Sequence, residues 1–102
     1  MEIKFEGRQV DLGDELRQRV QKRFDSLDKR FGPITHARLS VEKMAHKNEQ
    51  RAVVKAIVNI AGNTLTATRD APTVMNAVND TLDTLTQELQ TYVEKKNKEH
   101  RH

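Results

Sequence analysis

Apolar residues recur along this chain with two different periods, and each change of period marks a new element. Ile3 and Phe5 alternate with Glu2, Lys4 and Glu6, which predicts a half-buried strand over 2–6 that Gly7 ends. From Leu12 the period lengthens. Leu12, Leu16, Val20, Phe24, Leu27 and Phe31 fall three or four residues apart, predicting an amphipathic helix of about five turns. Asp11 is its expected N-cap, Asp14 and Glu15 suit the positive end of its dipole, and Gly32-Pro33 stops it. Alternation returns in Ala37, Leu39 and Val41, again in Ala52, Val54, Ala56, Val58 and Ile60, and once more in Leu65 and Ala67, with a hairpin turn expected at Gly62-Asn63. A second helix is expected after Asp70, with Pro72 in its first turn and a stripe of Val74, Met75, Val78, Leu82, Leu85, Leu89, Tyr92 and Val93.

Each strand so read has one apolar face and each helix one apolar stripe. The fold class that buries all of them is α+β: a two-layer β-α-β-β-β-α domain, with a four-stranded mixed sheet and both helices on one face, as in double-stranded-RNA-binding domains. The helix between the first two strands makes them a parallel crossover pair, while the short links that follow imply antiparallel pairing. One domain is expected over 1–94. Residues 95–102 lack an apolar pattern and read as a flexible basic tail.

Composition narrows the setting. With 35% hydrophobic residues, 102 residues supply one core and not two. The absence of cysteine rules out disulfides and Cys-based zinc sites. Glu2, Lys4 and Glu6 interrupt any signal-peptide core, and no apolar run approaches a membrane span, so a cytoplasmic protein with no membrane contact is expected. Residues that could carry catalysis are sparse. Ser26 and Ser40 lie in a helix and a strand and outside any Gly-x-Ser-x-Gly turn, and Gly7, Gly13, Gly32 and Gly62 are too scattered for a phosphate-binding loop. The spacing of His36, His46, His100 and His102 matches no zinc motif. No enzyme, cofactor, metal or small-molecule substrate is expected.

The net charge of +3 is modest, so the distribution of charge decides. At about 100° per residue, Arg19, Lys22, Arg23 and Arg30 share one flank of the first helix, and Asp14, Asp25 and Asp28 gather on the other. Between the second and third strands, Lys43, His46, Lys47, Arg51 and Lys55 form a second basic cluster, interrupted by Glu42 and Glu49. Such a segment can reach a phosphate backbone. The second helix differs: from Pro72 to Glu94 it carries Asp80, Asp83, Glu88 and Glu94 but no lysine or arginine, and its outer face is Thr73, Asn76, Thr84, Gln87 and Thr91.

Several local patterns in this order resemble the ribosome hibernation promoting factor and ribosome-associated inhibitor family, also called ribosomal subunit interface proteins. They are Ile3-Lys4-Phe5-Glu6-Gly7-Arg8, Asp11-Leu12-Gly13-Asp14-Glu15-Leu16-Arg17, Val41-Glu42-Lys43, Thr66-Ala67, and Met75-Asn76-Ala77-Val78-Asn79-Asp80 before Leu82, Leu85 and Leu89. The resemblance implies a short-form factor that binds the small ribosomal subunit and its ribosomal RNA in stress or stationary phase. It would occupy the messenger and transfer RNA channel and inhibit translation by occupancy alone. Arg23 and Lys43 match basic positions of the family. Arg19, Lys22, Arg30, Lys47, His46 and Arg51 join the candidate RNA-binding set from the charge map. A monomer off the ribosome is expected.

The chain also departs from the family pattern. Typical members carry Lys near Thr84, Arg near Gln87, Gln where Glu88 stands, and often Lys near Ser26. Long-form members add a C-terminal domain that pairs ribosomes, so pairing here would need another factor. The basic tail favours the hibernation-promoting type over inhibitor types with acidic extensions. The alternative is a diverged module of the same fold that takes a protein partner through the polar second-helix face or through Val53 and Ile57 on the open sheet face.

Overall fold

The computed structural model describes residues 2–8, 10–46 and 48–99, in the order β1 (Ile3–Arg8), α1 (Asp14–Phe31), β2 (Ile34–His46), β3 (Glu49–Ile60), β4 (Asn63–Ala71) and α2 (Val74–Glu99). The sheet order is β1-β2-β3-β4, with β1 parallel to β2 and the other pairs antiparallel. The α+β class, the element order and the strand directions are those the apolar periods predict. Both helices run back along the same face of the sheet. Val20 and Phe24 from α1, Val78, Leu82, Leu85 and Leu89 from α2, and Leu39, Val41, Val54, Ala56 and Val58 from the sheet close one core between the layers.

Local boundaries differ where backbone geometry overrides the side-chain pattern. Gly7 does not end β1. It pairs with Val41 inside the strand, and a Cβ there would lie 2.7 Å from the Val10 carbonyl, because the link to α1 folds back over it. The N-cap of α1 is Gly13, with no side-chain cap, so Asp11 does not serve. Asp28 has a structural task instead: its Oδ1 accepts the Ile34 N–H at 2.7 Å and its carbonyl accepts the Gly32 N–H at 3.2 Å, tying the end of α1 to β2. The β3–β4 turn is Ala61-Gly62, one residue earlier than expected, since Ile60 pairs with Asn63. Both turn residues have positive φ, 51° and 81°, the backbone handedness that matches twisted hairpin strands.

Two extensions matter more. Strands β2 and β3 continue well past the core, pairing from Ile34↔Ile60 out to His46↔Glu49, so the segment read as a basic cluster between strands is largely paired strand. Helix α2 runs on to Glu99, past the boundary expected at 94, so the 95–102 segment is helical over its first five residues and the rest lies outside the described residues. Thr81 is fully buried in the α2 stripe, which the sequence pattern had passed over. Its hydroxyl donates to the Ala77 carbonyl at 2.7 Å and lies 3.3 Å from the Val54 carbonyl, which makes its burial tolerable.

Candidate nucleic-acid interface

Burying Leu16, Val20, Phe24 and Leu27 against the sheet fixes the rotation of α1 and thereby aims its remaining residues. Arg17 turns toward β1, where its guanidinium stacks 5.2 Å from the Phe5 ring centroid and its Nε donates to the Leu12 carbonyl at 3.0 Å. Arg19 and Lys22 are exposed and make no hydrogen bond or ion pair with a described residue. Arg23, half-buried on the flank turned to α2, donates through Nη2 to Asp83 Oδ1 at 2.8 Å. Arg30 is exposed, with its guanidinium 4.8 Å from the Phe31 ring centroid. Lys22, Asp25, Ser26, Lys29 and Arg30 line a shallow depression of about 490 Å³ on the outer side of the helix. Lys29, seven residues from Lys22, belongs to the same row, and the helical period alone would have found it.

Lys22, Lys29 and Arg30 thus share the outer depression while Arg23 is turned to α2, and the second basic cluster does not assemble as one patch. Successive strand residues point to opposite faces. Lys43 shares the helix-bearing face with Val41 and sits opposite Ala52, while Arg51 and Lys55 lie on the open face with Val53 and Ile57. Arg51 is moreover committed: its Nε lies 2.8 Å from Asp70 and its Nη1 4.0 Å from Glu49. His46 ends β2, and nothing is described of its side chain; Lys47 lies outside the described residues. Across the open face Arg38 faces Glu6 at 3.6 Å, so much of its charge is compensated in place. Val53 and Ile57 are both half-buried there.

On α2 the outer polar face is exposed at Thr73, Asn76, Gln87 and Thr91, but Thr84 is half-buried. Its hydroxyl accepts from Arg69 Nε at 2.9 Å and donates to the Asp80 carbonyl at 2.9 Å. Arg69 escapes the sequence reading because the apolar alternation of this strand stops at Ala67. Continued by two residues, it places Arg69 on the helix face beside Ala67 and Ala71. Arg69, Asp70, Asp80, Asp83, Thr84 and Gln87 line a polar cleft of about 340 Å³. Among the described residues no group of three or more His, Asp or Glu side chains could hold a metal ion, and no helix is long and apolar enough to cross a membrane.

The fold is a small two-layer α+β domain whose first helix carries Arg19, Lys22, Lys29 and Arg30 with no ion-pair partner among the described residues. The chain belongs to the sigma 54 modulation protein / S30EA ribosomal protein family, whose model matches residues 3–97, in agreement with the resemblance to ribosome hibernation factors. Among solved structures it is similar to a ribosomal subunit interface protein from Coxiella burnetii, at 23% identity over 90% of this chain and 97% of that one, with a TM-score of 0.71. It is equally similar in fold to the N-terminal domain of Protein Y from Thermus thermophilus, at 22% identity over 90% and 99% of the two chains and a TM-score of 0.71. A comparison with curated protein sequences returns no match.

Proposed function

We propose that this protein associates with the ribosome and inhibits translation without chemistry, by occupying the RNA-lined messenger and transfer RNA channel of the small subunit in stress or stationary phase. The observation that carries the reading is the row of cations on α1, Arg19, Lys22, Lys29 and Arg30, none of which has an ion-pair partner among the described residues, in a chain of a family that includes ribosomal proteins. Uncompensated cations release bound counterions when they meet phosphate, which is the main source of affinity for RNA. Lys43 joins them on the helix-bearing face, while Arg51, on the opposite face and paired with Asp70, contributes less than its charge suggests. The protein acts in the cytoplasm, with the ribosome, as a monomer.

The open sheet face favours a second use. Two of its arginines, Arg38 and Arg51, are matched by Glu6 and Asp70, and Val53 and Ile57 lie on the same face, although Lys4, Arg8 and Lys55 there have no ion-pair partner among the described residues; the half-buried valine and isoleucine suit a protein partner. Titration into a cell-free translation reaction tests the primary reading. Inhibition should saturate near one protein per ribosome, with ribosomal RNA intact. Inhibition at catalytic amounts with RNA cleaved or modified would refute occupancy, and lack of inhibition with retained binding to another protein would favour the open face.

A further inference from the structure

Among the described residues, Arg23 is the cation of the α1 flank held in an ion pair, and its partner comes from the other helix. Asp83 Oδ1 takes a single hydrogen bond from Arg23 Nη2 at 2.8 Å, across 60 residues of sequence. Along α2 the first cation after Asp83 is Lys95, twelve residues on, since no lysine or arginine occurs between Pro72 and Glu94. The other cation nearby, Arg69, lines the cleft that Asp83 shares with Asp80 and Thr84, and it directs its Nε to the Thr84 hydroxyl. The pair is open to solvent, with side-chain exposures of 36% for Arg23 and 66% for Asp83. A phosphate could therefore reach this guanidinium and displace the carboxylate.

We propose that Asp83 is an internal competitor for Arg23, holding the guanidinium that an RNA phosphate would otherwise take and so setting the affinity and salt dependence of the α1 surface. This rests on α1 being the RNA-facing element. A single, solvent-exposed ion pair is weak enough to be exchanged for phosphate, yet it must be broken before Arg23 can contribute. Freed of Asp83, Arg23 becomes one more uncompensated cation in the row.

The test uses the full chain and purified small ribosomal subunits, with binding followed by co-sedimentation across a salt series. Asp83→Asn should tighten binding by about two- to fivefold, the equivalent of breaking one exposed pair. It should also steepen the log–log salt slope by roughly 0.7–0.9. Glu94→Gln removes the same net charge from an exposed α2 position that makes no ion pair with a described residue, and should change binding less. In an Arg23→Gln background, the effect of Asp83→Asn should shrink to that of Glu94→Gln. Thermal melts check that all variants fold. Equal effects of Asp83→Asn and Glu94→Gln, or an undiminished effect of Asp83→Asn without Arg23, would overturn the inference alone. If the unmodified protein does not bind subunits, or the joint loss of Arg19, Lys22, Lys29 and Arg30 leaves binding unchanged at every salt concentration, the RNA-facing reading of α1 falls and this inference with it.

Discussion

Replacing Arg19, Lys22, Arg23 and Arg30 together by glutamine removes the charge of the α1 flank while keeping side chains of similar length and helix propensity. None of the four is in the core. The native state loses the Arg23–Asp83 pair, worth at most about 1 kcal/mol at this exposure, and the Arg30 contact with Phe31, worth roughly 0.5–1 kcal/mol. Stability should therefore fall by less than about 2 kcal/mol, and a thermal melt should remain cooperative. Binding is a different matter. Three uncommitted cations and one that must first leave Asp83 represent three to four phosphate contacts, so the log–log salt slope should flatten by roughly 2–3.5 units. At about 1 kcal/mol per contact, affinity for small subunits should drop on the order of a hundredfold or more near physiological salt. Co-sedimentation with purified subunits from low to high salt reads both quantities at once. A quadruple variant that melts normally and binds with unchanged affinity and slope would show that the flank is only a solvated surface and that the interface lies elsewhere.

Gln87→Arg adds a cation on an exposed α2 position and should tighten subunit binding several-fold at low salt without changing stability. Unchanged binding there would show that α2 does not border RNA. Thr84→Lys should behave differently, because it removes the acceptor of Arg69 and sets an ammonium beside that guanidinium, lowering stability by roughly 0.5–1 kcal/mol in a chemical denaturation curve. Ala61→Asn should raise stability by roughly 0.5–1.5 kcal/mol, since Ala61 holds a left-handed φ of 51° in the turn and asparagine before glycine tolerates it far better; a lower melting temperature would contradict that turn. Phe24→Ala, at the fully buried centre of α1, should cost about 3–5 kcal/mol, and a loss below about 1 kcal/mol would mean that α1 is not packed on the sheet.

How much of this was legible beforehand depends on the range of the interaction involved. Periods of two and of 3.6 are local properties, and they were sufficient for the six elements, the face each one buries and the α+β class. The hydrophobic effect acts on each residue's own exposure and needs no knowledge of its eventual neighbour. The flank shared by Arg19, Lys22, Arg23 and Arg30 was readable for the same reason, since helix geometry alone sets it apart from Asp14, although Asp25 borders the depression of Lys22, Lys29 and Arg30. Strand ends were less visible, because β2 and β3 extend past the core by pairing with each other, and backbone hydrogen bonds leave no mark on side-chain alternation. The turn shifted by one residue because nothing in an alanine announces a positive φ.

Tertiary packing decided what the candidate residues meet. Lys43 and Arg51 are eight positions apart and were read as one cluster, but pairing of the two strands sends them to opposite faces of the sheet. Arg23 and Arg19 look alike in the chain, yet only Arg23 reaches Asp83, because the packing of α1 beside α2 brings together charges 60 residues apart. Thr81 is polar by type and buried by position, its hydroxyl satisfied by the carbonyl one turn back. Burial is a property of single residues in a local pattern, whereas an ion pair or the face of an extended hairpin exists only once two distant segments have been placed against each other.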